Sequence, residues 1–141
     1  ECVVRMQNVV TRERSPWLVN ASFCGTAREG RSLVMILPSL AVMSAGPLCA
    51  LRLCLRVLQR EPALSFRIVT NHDGDSAAML RDIEVATGLS CARVFIHNIA
   101  NDVPISPGDV ILATAWWTVA AALDATRHTV RKQILYLIQD Y

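Results

Sequence analysis

The chain has 141 residues, with 14 Lys plus Arg against 12 Asp plus Glu, for a net charge of +2. That length suits one domain with a real core and not two, and the near-balance of charge excludes the basic excess of a nucleic-acid binder. With 52% hydrophobic and 18% charged residues, the chain is also too apolar to be a disordered tail.

Residues 1–30 show no clear period and carry Arg12-Glu13-Arg14-Ser15-Pro16. They read as a lead-in segment, residues 1–31, with at most a short helix packed through Trp17 and Phe23. From Ser32 two element types alternate. Residues 32–37 form an apolar run of strand length. Residues 47–60 place Leu48, Leu51, Leu55 and Leu58 at helical spacing, with Arg52, Arg56 and Gln59 on the opposite side, and Pro47 suits the first turn. Residues 65–70 (S-F-R-I-V-T) predict a second strand. The polar cluster Asn71-His72-Asp73-Gly74-Asp75 follows, with Asp75 as N-cap of a helix over 76–87 that stops at Gly88. Residues 93–97 predict a third strand, and 98–109, holding Pro104, Pro107 and Gly108, a loop. A fourth strand over 110–113, a helix over 115–125 and a fifth strand over 133–138 complete the pattern.

The mean hydropathy of +0.34 raises the question of a membrane span, and no charge lies between Arg31 and Arg52. Pro38, Ser39, Ser44, Gly46 and Pro47 break that stretch, and a spanning helix would lose backbone hydrogen bonds at both prolines without substitutes in lipid. The run 110–123 is too short for a span, and with Arg5, Arg12, Glu13 and Arg14 among the first thirty residues nothing there resembles a secretory signal. The five cysteines, Cys2, Cys24, Cys49, Cys54 and Cys91, are odd in number and lack C-x-x-C spacing. They predict buried, reduced thiols of a cytosolic protein rather than a disulfide framework or zinc knuckle.

Short apolar strands separated by helices imply βαβ units and a parallel sheet covered on both faces. Right-handed crossovers give an α/β, doubly wound, mainly parallel five-stranded Rossmann-like sheet. The expected strand order is 3-2-1-4-5. Ligands in such sheets bind beyond the carboxyl ends of strands, where the order reverses. That nominates the loop 38–47 and the turn 114–117.

The loop P-S-L-A-V-M-S-A-G-P opens into a helix, so backbone N–H groups at Ser44, Ala45 and Gly46 form a candidate anion site. It is neither a dinucleotide fingerprint nor a P-loop. Asp73 and Asp75 have spacing that could hold a divalent cation, but a turn at Gly74 with an N-cap at Asp75 explains them better. His72, His97 and His128 lack partners at metal spacing, although His97 ends a strand near the crevice. Adjacent Trp116 and Trp117 on a helix point about 100° apart, which leaves two arrangements open: one packs while the other lines the cleft, or both pack in the core. Gln139 and Asp140 stand at the carboxyl end of the last strand.

Taken together, L-P-S-L-x-x-x-S-A-G-P-x-x-A-L-R-L, I-L-A-T-A-W-W-T and K-Q-I-L-Y-L-I-Q-D-Y resemble the N-terminal domain of WsaF-type rhamnosyltransferases, from Leu33 to Tyr141. Many members have Gly-Gly where this chain has Ala45-Gly46. The resemblance implies the N-terminal half of a two-Rossmann-domain GT-B glycosyltransferase, residues 32–141, that binds an acceptor glycan. A C-terminal domain beyond Tyr141 would hold the nucleotide sugar, dTDP-linked rhamnose, with no metal and no other cofactor. The implied setting is surface-polysaccharide synthesis in the cytoplasm, at the inner face of the membrane by peripheral association. The fragment alone is expected to be inactive. Thr114 and Gln139 are expected to hydrogen-bond sugar hydroxyls, Trp116 to stack, Gly46 to allow close approach, and Asp140 to orient an acceptor hydroxyl or hold the loop. No catalytic base is assigned. The alternative is a non-catalytic Rossmann-like binding or regulatory domain.

Overall fold

The computed structural model describes residues 21–27, 29–40 and 44–137. In chain order the elements are β1 (Phe23–Gly25), β2 (Ser32–Ser39), α1 (Ala45–Arg60), β3 (Ser65–Asn71), α2 (Ser76–Thr87), β4 (Val94–Asn98), β5 (Val103–Ile105), β6 (Val110–Ala113), a 3-10 turn (Trp116–Thr118), α3 (Val119–Thr126) and β7 (Ile134–Tyr136).

β2 is buried along most of its length because it lies at the centre of a five-stranded sheet of order β4-β3-β2-β6-β7. Every pairing in that sheet is parallel, so the expected 3-2-1-4-5 order is borne out and the sheet is wholly rather than mainly parallel. Alternation along β2 splits the core. Leu33, Met35 and Leu37 face one cluster with Leu51, Cys54, Leu55, Phe66, Ile68 and Ile83. Val34 and Ile36 face the other with Val69, Ile111, Ala113, Ala121, Ala122 and Ala125. Ile36 pairs with Val69 and Ser39 with Asn71; β2 thus holds one residue more than β3 over this interval. Pro38, which has no N–H for the ladder, falls within that bulge.

The helix boundaries follow from local chemistry. Asp75 Oδ1 accepts from Ala77 N at 2.9 Å and caps α2, and Gly88 stops the helix in the left-handed region at φ 69°. At the end of α1, the Arg93 guanidinium donates to the carbonyls of Leu58, Glu61, Pro62 and Leu64, pinning the helix exit to the start of β4.

Four expectations need correction. Residues 98–109 are not loop throughout, because Val103–Ile105 forms β5 and pairs in parallel with β1. Phe23 does pack, but as part of that strand; Trp17 lies outside the described residues. The helix expected over 115–125 divides into the 3-10 turn and α3. Of the thiols, Cys54 and Cys91 are buried, whereas Cys24 and Cys49 are exposed. Among the described residues, no helix is long and apolar enough to cross a membrane.

Candidate functional site at the carboxyl edge of the sheet

β2 and β6 are neighbours and run in the same direction, with Ile36 opposite Ala113. Beyond them the chain departs to opposite faces: α1 packs with the first core cluster, α3 with the second. Two parallel strands whose successors diverge leave a crevice at their carboxyl ends.

Ser44, Ala45 and Gly46 line one side of it as the entry to α1. Ser44 is the N-cap but its side chain makes no capping hydrogen bond, and no acidic residue stands in the first turn. The positive end of this 16-residue helix is therefore not neutralised by its own side chains. Thr114 is placed at the same edge but is buried. Its Oγ1 donates to Ile36 O at 2.8 Å, tying the end of β6 to β2. The expected partner of a sugar hydroxyl is thus a staple between strands.

Sequence reasoning missed Thr118. It is fully buried, its Oγ1 accepts from Thr114 N and Ala115 N and it donates to Ala115 O. These bonds fold the tight turn that presents the tryptophans. The signal was a Thr five residues beyond the strand end and four beyond Thr114, in position to bond its own turn. In that turn Trp116 is 49% exposed, and its ring meets Trp117 edge-on, centroids 5.4 Å apart at 80°. Trp117 is half-buried. Trp117 is the more buried and Trp116 the more exposed, which selects the first of the two arrangements their adjacency left open. Gln139 and Asp140 lie outside the described residues.

A cleft of about 410 Å³ opens beside the crevice, lined by Leu40, His72, Asp75, Ala78, Met79, Asp82 and Ile83. His72 Nδ1 accepts from Gly74 N at 3.3 Å, and a Cβ at Gly74 would stand 3.1 Å from His72 Cε1, so a larger residue there would have to displace the His72 ring by a few tenths of an ångström. His72 Nε2 and Thr70 Oγ1 are buried without partners. Asp75 is occupied as N-cap and lies 3.8 Å from Arg81, which supports the turn-and-cap reading of Asp73-Gly74-Asp75. Among the described residues no group of three His, Cys, Asp or Glu side chains could hold a metal ion.

His97 does not enter the crevice. Its Nε2 accepts from Arg67 Nε at 3.1 Å. Burial lowers its pKa, and the Arg67 charge lowers it further. The buried thiols are equally unsuited to chemistry. Burial pushes Cys54 up to about 12; burial and the nearby Glu84 carboxylate push Cys91 up to about 11. Both are protonated at neutral pH and poor nucleophiles.

Comparison with protein-family models, curated proteins and solved structures returns no match.

Proposed function

We propose that this chain is the acceptor-binding half of a glycosyltransferase that adds rhamnose, carried by a dTDP-linked donor on a second domain, to a growing surface glycan. The observation that carries the reading is Trp116, which stands half-exposed immediately beyond β6 at the place where the strand order reverses. A tryptophan face offers dispersion contact to the C–H face of a sugar ring, and the surrounding backbone supplies polar partners. Across the crevice, Gly46 at the start of α1 admits close approach of a ligand to main chain. The sequence motifs around Pro38, Trp116 and Tyr141 agree with this assignment.

Within this reading, binding and orientation are the domain's task, and the donor domain supplies the leaving group. Thr114 and Thr118 hold the turn, Trp116 meets the ring, and Asp140 and Gln139 meet hydroxyls. The test is a tryptophan-fluorescence titration with rhamnose-containing oligosaccharides. Saturable quenching is expected, weakened at least tenfold by Trp116→Ala with the circular dichroism spectrum unchanged. Absence of binding across the oligosaccharides, or equal affinity in the folded variant, overturns the assignment.

A further inference from the structure

The face of the sheet that carries β1 and β5 holds a buried ion pair. Arg67 on β3 is 9% exposed and Asp109, in the turn between β5 and β6, is 5% exposed. Arg67 Nη1 and Asp109 Oδ2 are 3.1 Å apart. Each guanidinium nitrogen has a partner: besides Nη1, Nη2 donates to Pro104 O on β5 and Nε to His97 Nε2 on β4. Asp109 in turn accepts from Ser32 N at 2.9 Å and Ser106 N at 2.8 Å. Arg67 thus joins the main sheet to β5, and β5 holds β1 through Thr26 N to Ile105 O and Val103 N to Ser22 O.

One contact in this chain depends on protonation. His97 Nε2 can accept from Arg67 only as the neutral imidazole; the imidazolium is a donor on both nitrogens. Protonation would therefore set donor against donor and cation against cation at a separation of 3.1 Å. Among the described residues the charged groups nearby do not offset this. Asp109 bonds the opposite side of the guanidinium, Asp102 ahead of β5 is exposed, and Phe95 and Asn98 on β4 carry no charge.

We propose that β1 and β5 form an acid-releasable clasp, closed while neutral His97 holds Arg67 beneath β5 and opened when His97 is protonated. Opening would uncover Phe23, Val103 and Ile105 together with Val34, Ile36 and Val69, the apolar residues of this face. The proposal does not depend on the glycan reading. The direction follows from linkage. An exposed histidine titrates near 6.5 and the clasped one lower. The clasp is therefore at full strength above about pH 6.5. Its opening constant then rises about tenfold per pH unit as pH falls from there to the clasped pKa.

The test is amide hydrogen exchange by NMR on the whole chain between pH 7.5 and 5, each rate divided by its intrinsic value. The amides of Thr26 and Val103 should lose protection with a midpoint that coincides with the His97 ring titration, while those within β2, β3 and β6 keep theirs. His97→Gln, which retains a neutral acceptor, should abolish the pH dependence. His128 packs against β1, a Cβ at Gly25 lying 3.0 Å from its Nδ1, so His128→Gln serves as control and should leave the dependence intact. Unchanged protection in the wild type overturns the proposal. So does pH dependence that persists in His97→Gln or vanishes only in His128→Gln. Should His97→Gln fail to fold, the wild-type midpoints decide, and midpoints that do not coincide overturn it.

Discussion

The two faces of the central sheet are closed in different ways. The face under α1 and α2 is held by an apolar cluster that includes Met35, Leu51, Leu55, Phe66, Ile68 and Ile83, with the buried hydroxyl of Thr70 as a polar group on the same side of β3. The face under β1, β5 and α3 has, among the described residues, a smaller cluster rich in alanine and valine, and beside it the Arg67–Asp109 pair with its backbone partners. The first face is held by area and shape, which tolerate volume-conserving change. The second depends on a few polar groups that must all be satisfied at once. A fold can thus combine one forgiving face with one that fails at a single atom.

Substitutions separate the two. The largest loss is expected from Asp109→Ala, which leaves a buried guanidinium and the amides of Ser32 and Ser106 without acceptors; about 4 kcal/mol of unfolding free energy is expected, read by urea denaturation at pH 7.5. On the apolar face, Leu55→Ala creates a cavity and should cost about 3 kcal/mol, with no dependence on pH between 5 and 8. A loss below about 1 kcal/mol for Asp109→Ala would erase the distinction between the faces. Asp75→Ala should cost about 1 kcal/mol through the lost cap of α2, measurable as a lowered Tm. The smallest effect concerns Lys132, a non-glycine residue at φ 50°. Lys132→Gly should be neutral or stabilise by less than about 1 kcal/mol, since it relieves a left-handed conformation at the cost of chain entropy.

The same contrast explains what could be read from sequence. On the apolar face the periods are long and clean: Leu51, Leu55 and Leu58 recur at helical spacing, and Asp75 and Gly88 bracket α2 where their chemistry requires. On the polar face the elements are three residues each, β1 and β5, too short to show a period. Pro104 within β5 reads as a breaker, and it is tolerated because, among the described residues, the strand pairs with β1 alone. Arg67 within S-F-R-I-V-T looks like an outward-facing charge. Its burial is explained only by Asp109, 42 positions away.

The site divides in a similar manner. The switch point was legible, because it follows from periodicity and chain order, whereas adjacency alone left open whether one tryptophan or both would pack. The role of Thr114 was not, since a threonine at a strand end suits a ligand and a staple equally, and only its 2.8 Å bond to Ile36 O distinguishes them. The cleft beside His72 was also hidden. It depends on α2 standing over the end of β3, and the sequence around it shows only a turn and a cap.

The most direct test of the carboxyl edge as a glycan-binding surface is a chemical-shift map of the chain titrated with a rhamnose-containing oligosaccharide. The account predicts saturable shifts at the Trp116 indole N–H and the backbone amides of Ala45 and Gly46, with the far edge at β4 unaffected. Shifts confined to the cleft of His72 and Asp82, or no shifts at all, would contradict it.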